Sequence, residues 1–270
     1  MDSGQKTENI IRVENLAVAY GDRIVLDDVN LQVRRGETMV IVGGSGCGKS
    51  TLLRHMIGLH RPESGRIYIK GRDITSLDEE KLSEILRKVG VVFQSSALFN
   101  SISVGDNVAL PLREHTRLEE STIQIMTKIK LDMVGLSGYE EYMPSELSGG
   151  MRKRAAFARA ISMDPEILYC DEPSAGLDPI VAAGLDQLIL KLKKALKMTI
   201  VVVTHEMASM YTIADRVIML HGGKVIFSGT LEEFKNCSHE RVRQFIERRP
   251  EEYGEDEIGR YARALTSNSF

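Results

Sequence analysis

No window of this chain approaches the roughly 20 consecutive apolar residues that a bilayer-spanning helix needs. Its longest apolar runs, such as Val201 to Val203 within TIVVVTH, have the length of buried strands. The opening MDSGQKTENIIR lacks the apolar centre of a secretory leader. The chain is therefore expected to be soluble by itself, with any membrane role requiring a partner. An excess of one charge is also lacking. The 35 Lys and Arg against 38 Asp and Glu leave a net charge of −3, which argues against a nucleic-acid partner. The three cysteines, Cys47, Cys170 and Cys237, follow no metal-ligating spacing, and their odd number fits a reducing, cytosolic setting. There is no internal repeat, so the 270 residues carry one copy of whatever unit they form.

Alternation and β-branched residues mark strands over residues 11–42: IRVENLAVAY, a turn at Gly21-Asp22, then VLDDVNLQV and MVIVGG. A helix follows from Lys49 and is closed by Gly58, and GRIYIKG reads as a short strand. The segment Asp78 to Val89 has the spacing of an amphipathic helix, and GVVFQ that of a buried strand ending at Gln94. From about Ser95 to Asp164 helical periodicity replaces the strand pattern, which predicts a helical subdomain inserted into an α/β core. The core resumes with EILYCDEP, a helix from about Ile180 to Lys197, TIVVVTHE and a hairpin at Gly222-Gly223. Strands separated by helices predict a partly parallel sheet. Beyond Thr230 the chain is charged and helical at first. From Pro250 it is polar enough to be irregular or to depend on a partner.

The segment GGSGCGKST matches the pattern G-x-x-x-x-G-K-[ST] at Gly43, Gly48, Lys49 and Ser50, between an apolar strand and an apolar-periodic helix. Such a loop, Gly43, Gly44, Ser45, Gly46, Cys47, Gly48, Lys49, Ser50 and Thr51, wraps backbone N–H groups round a β-phosphate at a helix N-terminus. Lys49 can neutralise the β- and γ-phosphates, and the Ser50 hydroxyl can ligate Mg²⁺. ATP or GTP binding follows. Cys47 lies near a helix N-terminus, a setting that can lower a thiol pKa. It reads as a tolerated small residue whose modification would block nucleotide binding. Further on, ILYCDEP ends a buried run with Asp171 and Glu172. Asp171 is suited to hold Mg²⁺, directly or through water, and Glu172 to polarise an attacking water.

Between these sites lies LSGGM, Leu147 to Met151. The order phosphate loop, glutamine after a strand, LSGG, acidic pair, SAGLD and histidine after a strand resembles the ATP-binding-cassette (ABC) ATPases over roughly residues 10 to 230. The resemblance implies an α/β fold, a P-loop NTPase ABC nucleotide-binding domain with an antiparallel β subdomain and the inserted helical subdomain. The cassette would span residues 10–235, with 95–164 inserted and 236–270 as a C-terminal extension. It implies that Tyr20 stacks on adenine, the alternative being an ordinary strand tyrosine. It implies that Gln94 contacts Mg²⁺ and the attacking water, and that His205 contacts the γ-phosphate and orders that water. By the same resemblance, Ser148, Gly149 and Gly150 face ATP held by a second subunit, and Asp178 couples the two sites of a homodimer. His55, His60, His115, His221 and His239 have no such context and read as surface or packing residues. The run Arg152 to Arg154, beside Ala155, Ala156 and Ala158, reads as the solvated basic face of a helix.

Finer text narrows the resemblance. SSALFNSISVGDNVALPLREHT (Ser95 to Thr116), PSELSGGMRKRAAFARAI and HERVRQFI (His239 to Ile246) are similar to the ATPases of Mla/Mce-type lipid transport systems. Met151, where a glutamine is usual, belongs to that similarity. Its spacing to Ala155 and Ala158 permits an apolar role. The implied assembly has two copies of this chain, permease subunits, a periplasmic Mce lipid-binding protein and, in some members, a STAS-domain regulator. It would sit on the cytoplasmic face of the inner membrane, held by the permease. Two alternatives stay open, a cassette for another transported substrate and a non-transport ABC ATPase. The tail after Arg249 is expected either to pack on a neighbouring subunit or to form a mobile charged terminus.

Overall fold

The computed structural model describes residues 8–250, so the tail expectation lies outside the described residues. Two long strands, β1 (Asn9–Tyr20) and β2 (Arg23–Arg34), pair antiparallel through the turn at Gly21-Asp22. With β4 (Ser64–Ile69) and β5 (Arg72–Asp73) they form a four-stranded antiparallel sheet ordered β2-β1-β4-β5. The second sheet has six strands, ordered β10-β9-β3-β8-β7-β6. Its members are β3 (Thr38–Gly43), β6 (Val89–Val92), β7 (Ile167–Asp171), β8 (Thr199–Val203), β9 (Arg216–His221) and β10 (Lys224–Thr230). All its pairings are parallel except the hairpin β9–β10, which turns at Gly222-Gly223 as its sequence predicts.

Every residue of β3, β7 and β8 is buried. Strands covered on both faces are read as continuous apolar runs, which is why VIV and TIVVV lack polar alternation. Successive side chains still point to opposite faces. Val40, Val42, Ile200 and Val202 enter a core shared with the helices of the insert and with α6 (Pro179–Leu196). Met39, Ile41, Val201 and Val203 enter a second core under the antiparallel sheet, with α1 (Lys49–Met56). The sheet is thus a partition between two cores. A short helix α2 (Glu79–Leu86), capped by Asp78, precedes β6.

Between β6 and β7 the chain forms α3 (Val104–His115), α4 (Glu120–Met133) and α5 (Gly149–Ala160), as periodicity predicts. Asn107 explains the DNV text on α3. It is fully buried, accepts from Phe99 N–H at 2.8 Å and donates to the carbonyls of Phe99 (3.0 Å) and Ser103 (2.9 Å). One amide side chain thereby fixes the entry loop of the insert. The basic run Arg152 to Arg154 departs from expectation in part, because only Arg152 is fully solvated. Arg152 is exposed yet donates to the Leu147 carbonyl at 2.5 Å, Arg154 donates to Val134 at 3.0 Å, and Lys153 is buried. One short helix was not legible, whereas the helical start beyond Thr230 was. The seven-residue α7 (Met207–Ile213) has too few residues to display a period, and tertiary burial of Met210 and Ile213 stabilises it. Two further short helices, α8 (Leu231–Lys235) and α9 (Glu240–Ile246), follow β10. Among the described residues no helix is long and apolar enough to cross a membrane.

Asn107→Ala is expected to destabilise the protein by about 2 kcal/mol, because it strips buried backbone groups of their partners. Urea unfolding followed by circular dichroism measures this, and an unchanged midpoint would contradict the role given to Asn107.

Candidate active site

Parallel register decides where the functional residues meet. Ile41 of β3 pairs with Val203 of β8, Val203 pairs with Asp171 of β7, and Cys170 pairs with Val92 of β6. The four strands therefore end together, and ligands gather beyond such carboxyl ends. Past β3 comes the phosphate loop, past β8 His205, past β7 Glu172 and past β6 Gln94. These residues line one open cavity of about 530 Å³ that contains Gly43, Gly44, Ser45, Gly46, Gly48, Lys49, Ser50 and Thr51.

Gly43 is required by two constraints at once. Its φ of 151° is closed to most side chains, and a Cβ there would lie 2.3 Å from the Leu220 carbonyl oxygen. Lys49 Nζ donates to the carbonyls of Gly43 (2.9 Å) and Gly44 (3.0 Å), holding its charge inside the loop at the N-terminus of α1. Ser50 Oγ donates to Asp171 at 3.3 Å. Burial pushes the Asp171 carboxyl up from its ordinary value, against the Ser50 bond, which lowers it. A serine hydroxyl, one carboxylate and the amide of Gln94 are hard oxygen donors. Few in number, they suit Mg²⁺ that completes its shell from phosphate and water.

Glu172 is held in a left-handed conformation, φ 46°, uncommon outside glycine, with its N–H bonded to Val203 O at 2.8 Å. His205 Nδ1 lies 2.9 Å from its Oε1 and 2.8 Å from its Oε2. Only the first contact is aligned as a hydrogen bond, so the buried Oε2 has no aligned donor. The carboxylate thus faces the His205 imidazole beside the phosphate loop. Nearby, Ser174 Oγ donates to Glu206 at 3.0 Å, tying the segment after the acidic pair to the one that carries His205.

Other expected residues stand apart. Ser148 is exposed and caps α5, its Oγ accepting from Met151 N–H at 3.3 Å, which leaves its O–H free to donate. Gly150 is small for a packing reason, since a Cβ there would lie 2.6 Å from Val181 on α6. Met151 takes an apolar role against the core. Asp178 is exposed and caps α6, accepting from the N–H groups of Ile180 and Val181 at 3.0 Å each. Ile180 beside it is 84% exposed. None of Ser148, Gly149, Gly150 and Asp178 lines the cavity, and neither does Tyr20, which projects at the end of β1.

Cys47 corrects an expectation. Its side chain turns into the core, and burial pushes its thiol up rather than down, outweighing Lys49 and the nearby backbone N–H groups. Sequence reasoning also missed Val25 and Phe245, which line the cavity. Phe245 comes from α9, some 40 residues after His205 (245 − 205), and only the apolar spacing of HERVRQFI hinted at burial. Gly44, His205 and Phe245 are shared with an adjoining cavity of about 330 Å³ that adds Arg241, Arg248 and Arg249. The wall beyond His205 is thus positively charged.

A glycine-rich loop between a parallel strand and a helix, with a buried acidic pair on a neighbouring strand, defines a P-loop nucleotide hydrolase. The chain belongs to the ABC transporter family, whose sequence model matches residues 26–175, and it is an ATPase. It is 45% identical over 239 residues to the intermembrane phospholipid transport system ATP-binding protein MlaF of Haemophilus influenzae, covering 88% of this chain and 90% of that protein. It is 44% identical over 236 residues to the probable ribonucleotide transport ATP-binding protein mkl of Mycobacterium leprae, covering 87% of this chain and 68% of that protein. Its fold is similar to the ATP-binding cassette MJ0796, solved as a post-hydrolysis dimer bound to ADP and Pi. That match has a TM-score of 0.76 and 33% identity, and it covers 82% of this chain and 98% of that one.

Brief maleimide treatment near pH 7 is expected to modify the half-buried Cys237 well before Cys47 and Cys170, leaving nucleotide binding intact. Peptide mass spectrometry reads the order of labelling. Early modification of Cys47 with loss of binding would reverse this assignment.

Proposed function

We propose that this chain is the ATP-hydrolysing subunit of an ABC transporter that drives phospholipid trafficking between inner and outer membranes. The cassette is residues 10–235, with 95–164 as its helical insert and 236–270 as an extension. Two copies work head to tail. Each nucleotide lies between the phosphate loop of one copy and Ser148, Gly149 and Gly150 of the other, with Asp178 at the joint. The observation that carries this reading is the division of the site, because the cavity gathers Lys49, Gln94, Glu172 and His205 but not the exposed Ser148. A donor that a nucleotide needs and its own chain does not bring to it must come from a second copy.

The geometry supports the following chemistry. Lys49 and the loop N–H groups neutralise the β- and γ-phosphates, and the resemblance gives the exposed Tyr20 to the adenine. Ser50, Asp171 and Gln94 would hold Mg²⁺, which supplies charge neutralisation at the transferring phosphoryl group. Glu172 and His205 orient a water in line with the γ-phosphorus. As the water oxygen bonds to phosphorus, the bond to the bridging oxygen of ADP breaks, and Glu172 accepts a water proton. Orthophosphate and ADP leave.

The lipid assignment is supported by the match to 90% of the length of the phospholipid-transport relative, against 68% for the ribonucleotide-named one. The PLREHT and LSGGM text supports it too. Permease subunits hold the ATPase on the cytoplasmic face of the inner membrane, with a periplasmic Mce protein and, where present, a STAS-domain regulator. A groove of about 570 Å³ between α2 and the insert, with Leu82, Leu86, Phe93 and Phe99 in its wall, suits a short helix of the permease. The second reading, transport of another substrate, has the 44% identical ribonucleotide-named relative in its favour.

Glu172→Gln should bind MgATP, hydrolyse it about a hundredfold more slowly or worse, and elute as a nucleotide-bound dimer in size-exclusion chromatography. Near-normal turnover would remove Glu172 from the chemistry. For the cargo, purification of the complex from native membranes should bring down permease subunits with bound phospholipid. A complex without phospholipid that binds a ribonucleotide at its permease would move the assignment to the second reading.

A further inference from the structure

Lys153 is a buried cation close to the cavity but not in its wall. It lies one turn inside α5, whose N-terminus carries Ser148, Gly149 and Gly150, and it is only 5% exposed. Among the described residues no carboxylate comes within ion-pair distance of its ammonium group. Its partners are backbone oxygens, the Gln94 carbonyl at 2.5 Å and, more distantly, the Glu172 carbonyl at 3.5 Å. Burial pushes its pKa down, opposed by the fields of Asp171 and Glu172. A buried ammonium is costly, and an apolar side chain of the same length would fill that space more cheaply. Core filling therefore does not account for a lysine there.

The same helix makes a second hold on the same loop. Arg159 donates to the carbonyls of Ala97 (2.6 Å) and Ser96 (3.0 Å). Both residues are left-handed, with φ of 49° and 65°, so the loop after Gln94 is strained and needs external ties. Two cations of α5 thus fasten residues 94–97, one at the functional glutamine and one just beyond it.

We propose that Lys153 is a positioning residue for hydrolysis, its bond to the Gln94 carbonyl setting Gln94 against Glu172 and fastening both to the helix that presents Ser148. It touches neither nucleotide nor water and acts through Gln94. The proposal rests on the roles given above to Gln94 and Glu172.

The test is a double-mutant cycle in the full-length chain, with kcat and KM for MgATP read by phosphate release and folding checked by thermal melting. Lys153→Met should lower kcat about tenfold or more, the scale of a small misplacement of a reacting group, with KM within about threefold of the parent. Lys153→Gln, which keeps an N–H donor, should return kcat to within about threefold of the parent. In a Gln94→Ala background, Lys153→Met should cost less than about twofold, because both changes act through one group. A kcat for Lys153→Met within about threefold of the parent overturns the proposal. So does a loss that persists undiminished in the Gln94→Ala background, or one that Lys153→Gln does not relieve. If Lys153→Met does not fold, Lys153→Ser takes its place in the cycle, with the same outcomes deciding. Fast turnover by Glu172→Gln would defeat the site reading instead. Slow Glu172→Gln with additive Lys153 and Gln94 effects would defeat this proposal alone.

Discussion

The parallel pairing of β3, β8, β7 and β6 is the constraint on which the remainder depends. Their shared register brings four loops to one level, so residues more than 150 positions apart in the chain meet round one cavity. Gln94, Glu172 and His205 each lie within two residues of the end of their strand. The precision of the site is therefore the precision of a sheet whose central strands are covered on both faces. A sheet buried in this way cannot slip in register without exposing its apolar sides.

Polar ties brace the insert internally, and Lys153 fastens it to the segments that follow β6 and β7. Asn107 fixes its entry loop, Lys153 and Arg159 bind the segment after Gln94, and Arg154 holds the end of α4 through the Val134 carbonyl. Directional bonds to backbone oxygens add to the close packing that carries a displacement through an interior. This gives a physical basis for communication between the face that carries Ser148 and the cavity that carries Glu172. The left-handed backbone at Glu172, Ser96 and Ala97 places strain at both ends of that connection.

Much of this was legible in the residues. The phosphate loop, the acidic pair and the strands before them are local patterns, and local patterns survive without tertiary information. The readings that failed were those in which a side chain's surroundings come from elsewhere in the chain. Lys153 and Arg154 look solvated because charge predicts exposure, but the carbonyls of Gln94 and Val134 receive them. Cys47 sits near a helix N-terminus, but core residues bury its sulfur and desolvation dominates. Phe245 gave no functional signal, since a lone aromatic on a short helix reads as packing until α9 is seen against His205.

The sequence by itself determined the chemistry: which residues could cradle a phosphate, hold a divalent ion or take a proton, and which strands and helices carry them. It did so because hydrogen-bonding type, charge and apolar period are properties of neighbouring residues. Tertiary structure alone decided which of these groups meet. It brought Glu172 to His205, left Ser148, Asp178 and Tyr20 outside the cavity, and drew Lys153 inside to Gln94. Those outcomes depend on strand register and long-range burial, which involve residues far apart along the chain and leave no local period to read.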